Sequence, residues 1–241
     1  MDTRNLALLE GVARLGEEAT ARRIADKINL PQATAYRHIA DLENLGLVER
    51  LGKRYCIGSR LYKLLALGTS ESELGKALMP ALSGMAEALG ETTFAARLTD
   101  QGIDIFQTCA PAEPDGAIVV PSKGLRPASI CSSAKAILAH VPKSLQAEVI
   151  AAAAPMFPDL PSPDADSLEA EYAQVRDKGI AYCIGEEDPD IASVAMPVRL
   201  QGALGQVCVG IVGPRGRIMR KLDKNLEKQM KFRRDMIDAL Q

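Results

Sequence analysis

The stretch at residues 24–61, IADKINLPQATAYRHIADLENLGLVERLGKRYCIGSRL, decides the fold of the first part of this chain. Pro31 interrupts a short helix and suits the first position of the next one, because its fixed φ is helical and its missing N–H is not needed there. Gly46 ends that helix, and two short β-type runs on either side of Gly52 predict a hairpin with basic residues at its tip. An amphipathic helix at residues 4–15 completes the pattern, which predicts a winged helix-turn-helix.

The outer face of the third helix carries the side chains that a helix lying in the DNA major groove needs. Ala35, Ile39 and Leu42 form its inward stripe, and acids appear only late, at Asp41 and Glu43. Basic side chains also stand in the second helix and at the hairpin tip, where a duplex would present its phosphates. We therefore predict contacts with double-stranded DNA through Arg22, Gln32, Ala33, Thr34, Tyr36, Arg37, His38, Lys53 and Arg54.

Charge is distributed unevenly along the 241 residues, although the net formal charge is only -2. Residues 1–70 hold 11 basic and 8 acidic side chains, whereas residues 71–214 hold 9 and 19. This distribution places any contact with nucleic acid at the N-terminal end. Residues 215–241 are basic again, and we predict a helix from about Ile218 with a solvated basic face and an apolar stripe of Leu222, Leu226, Met230 and Ile237.

The composition indicates a soluble globular protein, with 47% hydrophobic and 25% charged residues. No apolar run approaches the roughly 20 residues that a bilayer-spanning helix needs, so we expect a cytoplasmic protein with no membrane partner. The five cysteines are scattered and only two histidines are present, which argues against a structural zinc site and against most acid–base catalysis. We expect no cofactor and no metal.

An enzyme would need a catalytic constellation, and the sequence does not supply one. Cys131 could be paired with His140 as a nucleophile and base, but no nucleophile-elbow motif surrounds the cysteine. The acidic run that contains Glu186, Glu187, Asp188 and Asp190 could bind a cation, yet its loop character favours a solvated turn. We therefore predict that the protein is not an enzyme.

The second part of the chain mixes helices and strands in an order that predicts an α+β domain with a largely antiparallel sheet flanked by helices. Strands are predicted at residues 92–98, 103–108, 117–120, 180–184, 194–200 and 206–212, and helices at 133–139, 143–153 and 168–179. We expect a DNA-binding domain at residues 1–65, a linker helix at 66–80 and a second domain at 81–241.

Residues 24–61 resemble the DNA-binding domain of IclR-type bacterial transcriptional regulators. The resemblance is carried by Leu30, Pro31, Thr34, Arg37, Leu42, Gly46, Val48, Tyr55 and Gly58. Asn29 stands where a glycine is usual, and His38 stands where an aliphatic residue is common. Segments at residues 130–139, 179–191, 193–198 and 212–214 are similar to the effector-binding domain of the same family, whose fold resembles GAF and PAS sensors.

The resemblance implies a small-molecule pocket lined by Ser132, Ser133, Cys183, Ser193, Gly210 and Val212. Cys183 replaces an acid and Ser193 a cysteine, while Gly210 and Val212 stand where small hydroxyl residues often occur. The pocket is therefore less polar than one built for a small keto acid, which favours a larger or aromatic ligand. Ser132 and Ser133 begin a predicted helix, where free N–H groups favour a carboxylate, although these serines could equally serve only to cap that helix.

These expectations combine into one functional hypothesis. The chain is a ligand-responsive transcriptional regulator of a catabolic operon, with a repressor favoured over an activator. It binds a near-palindromic operator as a homodimer or homotetramer that is paired through helices around residues 59–89. The effector is a small organic acid or a derivative of one, aromatic compounds included. The alternative is a small-molecule sensor or protein-interaction module that does not bind DNA.

Overall fold

The computed structural model describes residues 3–68, 70–114, 116–161, 164–200 and 203–220, with the backbone alone at 199–200 and 203–206. The chain divides into two compact units, Met1–Leu67 with Pro142–Leu145 and Gly68–Val141 with Gln146–Gln241. Among the described helices, none is long and apolar enough to cross a membrane.

The first unit is the predicted winged helix-turn-helix, which is confirmed. Leu8, Ile24, Ile39 and Leu42 are buried together with Tyr55 of the hairpin, so three helices and the wing share one core. The elements are α1 (Thr3–Leu15), a 3-10 turn (Gly16–Glu18), α2 (Ala21–Lys27), α3 (Gln32–Asn44), β1 (Val48–Leu51), β2 (Arg54–Ile57) and α4 (Ser59–Leu67).

Two backbone positions fix the turns of this unit. Asn29 has a φ of 56° and is the one described non-glycine residue in the left-handed region, which asparagine tolerates better than most side chains. A Cβ on Gly58 would lie 2.3 Å from the carbonyl oxygen of Gly46, so only glycine fits where the wing leads into α4. The asparagine at position 29 therefore keeps the turn that the usual glycine forms.

The second unit contains a six-stranded antiparallel sheet with the strand order β5-β4-β3-β8-β7-β6. This confirms the predicted α+β class. The strands are β3 (Thr92–Leu98), β4 (Ile103–Cys109), β5 (Gly124–Leu125), β6 (Ala181–Ile184), β7 (Ile191–Leu200) and β8 (Ala203–Pro214). The helices are α5 (Glu71–Leu89), α6 (Ser132–Leu138), α7 (Lys143–Ala153) and α8 (Ala165–Lys178), with a 3-10 turn at Ala154–Met156.

Helices cover both faces of this sheet. The buried side chains Leu78, Leu82 and Met85 of α5 pack against Val194 and Val209 on one face. On the other face α6 lies against β6, β7 and β8, and α8 packs on α6. Because side chains alternate along each strand, the residues between those of the α5 core point toward α6.

Two predicted elements differ from the structure. Residues 117–120 form no strand, because the edge of β4 is paired at Asp104 and Ile105 by the short strand β5 instead. Helical residues begin at 215 rather than near Ile218. The predicted apolar stripe from Leu222 onward lies outside the described residues.

Candidate functional site

The outer face of α3 is open to solvent. Gln32, Ala33, Tyr36 and Arg37 are exposed, and Thr34 is half-buried. Within the described residues, Arg37 has no ion-pair partner among the acids of the unit. The helix thus presents amide, aromatic and guanidinium groups together, which are the hydrogen-bonding and stacking groups that read base edges.

His38 does not belong to this outer face, and the prediction that it contacts DNA is corrected. Its side chain is buried, and Nδ1 lies 2.8 Å from Oδ1 of Asn5 in α1. It follows Ala35 by three residues and precedes Leu42 by four, so it stands on the inward stripe of α3. A histidine in this place joins two helices through one hydrogen bond.

The wing and α2 add basic groups to the same unit. Lys53 and Arg54 are exposed at the hairpin tip, and no ion pair to either is present in the described part of the chain. The N–H of Tyr55 donates to the carbonyl of Ala19 at 2.8 Å, which anchors the wing to the turn before α2. Arg22 is exposed on α2, and its Nε lies 4.0 Å from Oδ2 of Asp26, an exposed pair that holds the guanidinium only weakly.

The second unit holds a cavity of about 340 Å³ between the α6 side of the sheet and the segment at residues 119–121. This volume falls within the range of small-molecule sites, which is about 300 to 1,000 Å³. The lining residues are Phe94, Ile105, Val119, Val120, Pro121, Arg126, Cys131, Ser132, Ser133, Cys183, Glu187, Asp188, Ile191, Ser193 and Val212.

Strand register brings three of the predicted pocket residues side by side. Cys183 of β6 pairs with Ser193 of β7, which in turn pairs with Val212 of β8. Ser132 reaches this row from α6, and its Oγ lies 2.7 Å from Oγ of Ser193. Ser133 also lines the cavity and is buried. The helix starts with Cys131 as its N-cap, so the serines are not the capping residues.

Gly210 is the one predicted pocket residue that the cavity lining does not include. A Cβ at this position would lie 2.4 Å from Cζ of Phe94, so the aromatic ring covers the glycine backbone. Phe94 pairs with Gly210 across β3 and β8 and takes its place as a lining residue. The prediction for Gly210 is corrected accordingly, since its role is to admit the ring.

The thiols near the cavity are held in their neutral form. Burial raises the pKa of Cys131, and it raises the pKa of Cys183 to about 11. The Cys131 sulfur lies 3.3 Å from Oγ of Ser133. A nucleophilic cysteine needs a lowered pKa. Cys131 therefore lines the cavity as a neutral thiol and is not suited to act as a nucleophile.

The acidic turn after β6 pairs with two basic side chains, Lys135 of α6 and Arg126 ahead of that helix. Oε2 of Glu186 lies 2.6 Å from Nζ of Lys135, whose side chain is only 3% exposed and also meets Glu171 at 2.6 Å. Burial lowers the pKa of Lys135, but hydrogen bonds with the two glutamates outweigh it and raise that pKa. Nη2 of Arg126 donates a hydrogen bond to Glu187.

Comparison with known proteins decides the family of this two-unit chain. The family model for the "IclR helix-turn-helix domain" matches residues 3–52, and the model for "Bacterial transcriptional regulator IclR C-terminal" matches residues 68–238. The chain belongs to the IclR family of bacterial transcriptional regulators. Its C-terminal unit is the ligand-binding domain of that family.

IclR-family relatives match along most of the chain. The regulator TtgV of Pseudomonas putida is 28% identical over 205 residues, which cover 83% of this chain and 76% of TtgV. The glycerol operon regulatory protein of Streptomyces coelicolor is 26% identical over 200 residues, covering 82% and 78%. HmgR of Pseudomonas aeruginosa shares the fold with a TM-score of 0.60 and 18% identity, covering 98% of this chain and 96% of its own.

Sequence reasoning missed three charged residues in the cavity of this IclR-family chain, Arg126, Glu187 and Asp188. The acidic run predicts only a solvated turn, and no motif marks Arg126. Arg126 and Glu187 are 61 residues apart, so no local pattern links them. The signal that could have found them is the basic residue just before the Ser132–Ser133 segment, set against an unusually dense acidic turn.

Proposed function

We propose that this chain is a ligand-responsive repressor of a catabolic operon, located in the cytoplasm, that binds a near-palindromic operator. The observation that carries the proposal is the exposed outer face of α3, where Tyr36 and Arg37 extend into solvent beside Gln32. Lys53 and Arg54 of the wing and Arg22 of α2 supply phosphate contacts on either side of that helix.

Two chains are needed to read two half-sites, because operator symmetry mirrors the symmetry of the protein. Helix α4 supports pairing as a dimer or tetramer, since none of its residues is fully buried within the chain. Leu64, Leu65 and Leu67 are 52%, 51% and 69% exposed. Three large apolar side chains on one short helix favour a partner surface over open water.

The cavity in the second unit is the proposed effector site, with Ser132, Ser133, Cys183, Ser193 and Val212 in its wall. Apolar side chains dominate the remaining lining, which supports an aromatic acid or a derivative of one. An IclR homologue from Microbacterium hydrocarbonoxydans with the same fold, a TM-score of 0.57 and 20% identity, was solved as a complex with 4-hydroxybenzoate. The same general class of molecule is proposed here.

The test is a mobility-shift titration against the DNA that flanks the protein's own gene, at two salt concentrations, with a panel of aromatic and aliphatic acids and their amides. We expect sequence-selective binding that weakens steeply with salt and is released by one class of compound. Binding that is unselective at both salt concentrations would instead favour a sensor or interaction module that does not bind DNA.

A further inference from the structure

The charges of the effector cavity are arranged around one ion pair. Arg126 is the one basic side chain among the described lining residues, and it is already hydrogen-bonded to Glu187. The two side chains are 16% and 33% exposed, so the pair is partly withdrawn from water. The cation that a carboxylate ligand would require is thus occupied by a carboxylate of the chain itself.

A second acid makes the cavity unfavourable for anions. Asp188 also lines it, and one basic residue against two acids leaves the described lining with a net negative charge. An entering carboxylate would exchange one ion pair at Arg126 for another of the same kind. It would also add a negative charge next to Asp188 and the displaced Glu187, and like charges brought together cost binding free energy.

The remaining polar groups of the cavity are uncharged. Ser132 and Ser193 form a hydroxyl pair at 2.7 Å in which one hydroxyl donates to the other. The accepting hydroxyl keeps its own hydrogen for a ligand, and both oxygens keep lone pairs. Around this pair the wall is apolar, with Phe94, Ile105 and Val212 among its residues. Such a site satisfies an amide, hydroxyl or carbonyl group on an apolar body.

We propose that the effector is an uncharged, largely aromatic molecule whose polar group binds the Ser132–Ser193 pair. Glu187 determines this specificity, because it holds Arg126 and so excludes carboxylates of the same shape. The proposal rests on the proposed function of the cavity as the effector site. It narrows the proposed effector from an aromatic acid or any derivative of one to the uncharged derivatives alone.

Three probes of nearly equal shape separate the effect of ligand charge from that of ligand shape. They are benzamide, benzoate and benzamidinium, and 2-naphthamide and 2-naphthoate form a larger pair. Binding is measured by titration calorimetry on the full chain without DNA. We expect the wild type to bind each amide at least about tenfold more tightly than its carboxylate. Glu187→Gln frees Arg126, and it is expected to raise the affinity for the carboxylates by about tenfold or more, since a guanidinium pairs strongly with a carboxylate.

Asp190→Asn is the matched control. It removes the same charge from the same turn, but Asp190 is not among the described residues that line the cavity. Its backbone N–H donates to Oδ1 of Asp188, and its carbonyl accepts from the N–H of Arg215, so the change of side chain preserves both hydrogen bonds. We expect this variant to bind all probes as the wild type does. An equal gain in carboxylate affinity in Asp190→Asn would assign the effect to net charge alone and overturn the role of Glu187.

Two further kinds of result would contradict the proposed ligand class. A wild type that prefers the carboxylate or the amidinium overturns the proposal, as does a Glu187→Gln variant that gains no affinity for either acid. Since DNA is absent from the titration, its result is independent of operator binding. Amide preference with the Glu187→Gln switch, in a protein that shows no selective DNA binding, would refute the proposed regulator and leave the ligand class intact.

Discussion

Arg217 holds both carboxylate oxygens of Glu91, with Nε at 2.6 Å from Oε1 and Nη2 at 2.8 Å from Oε2, although 126 residues separate them. Glu91 has a fully buried side chain, and Arg217 also donates to the carbonyl of Ala117 at 2.7 Å. Arg217 follows β8, so its guanidinium links three parts of the second unit. These are the end of β8, the turn after α5 that holds Glu91, and Ala117, which precedes the cavity-lining residues 119–121.

Replacing Arg217 should destabilise the fold more than the loss of a surface charge. Arg217→Met removes two charge-assisted hydrogen bonds from the buried Glu91 carboxylate, and we expect the free energy of unfolding to fall by about 3 kcal/mol. Urea denaturation measures this. The double variant Glu91→Gln/Arg217→Met should recover part of the loss because no charge is then buried, and a double variant as unstable as the single one would contradict this account.

The guanidinium of Arg37 is expected to read the operator. Arg37→Ala should weaken DNA binding by about 1–3 kcal/mol with the fold and oligomer unchanged, because a base or phosphate contact is lost. Fluorescence anisotropy with operator DNA gives the affinity. Arg14→Ala serves as the matched control, since Arg14 is exposed on α1 and its side chain is paired only loosely with Glu10. Equal affinities for the wild type and Arg37→Ala would remove Arg37 from the interface.

His38 should matter for stability rather than for DNA recognition. His38→Ala removes a partly buried hydrogen bond to Asn5, and we expect a loss of about 1–3 kcal/mol in the free energy of unfolding. Asn5→Ala removes the same bond and should cost a similar amount in a thermal melt. Operator affinity below the melting range should stay near that of the wild type, and a large loss there would return His38 to the interface.

Filling the cavity should separate ligand response from DNA binding. Ser133→Leu places a larger side chain in the wall, so the effector is expected to be excluded while operator binding persists in a mobility-shift assay. Because Ser133 is buried, circular dichroism must show that the variant folds. Ser193→Ala is the milder second variant, which removes the hydroxyl bonded to Ser132 and adds no bulk to the wall. A full response in both variants would place the effector site elsewhere.

The buried thiol of Cys183 predicts a specific alkaline instability. Its pKa is raised from 9.0 to about 11 in the folded chain. The folded chain therefore binds more protons between these values, so this contribution to stability is complete below pH 9 and is lost as the pH rises to about 11. The loss amounts to roughly 3 kcal/mol. Urea denaturation at pH 8 and pH 11 should show a smaller loss in Cys183→Ser, and equal losses would contradict the shift.

Much of the fold follows from local patterns in the sequence. Pro31, Gly46 and Gly52 mark the turns of the winged helix, and alternating apolar residues mark the strands that flank residues 201–202. These signals act over a few residues, where backbone preferences dominate. The helical spacing of α3 already indicated a buried His38, which lies three residues after Ala35 on the inward stripe. A polar residue on such a stripe is nevertheless easily assigned to the outer face.

The cavity was only partly predictable, for a physical reason. Cys183, Ser193 and Val212 lie in one row because of the strand register. The family resemblance, and not a local pattern, predicted these three residues. The ion pair of Arg126 with Glu187 and the stacking of Phe94 on Gly210 depend on residues 61 and 116 positions apart in the sequence. Contacts of this kind arise from tertiary packing, which no single local pattern encodes.

The ring of Phe94, seated on a glycine of the neighbouring strand, gives protein engineers a way to resize this sensor. The aromatic side chain occupies room that Gly210 leaves open, so its truncation, as in Phe94→Ala, would extend the chamber down to bare backbone without displacing a strand. Intermediate side chains such as leucine would set intermediate depths. A graded series of biosensors for progressively bulkier compounds could thus be built from a single codon.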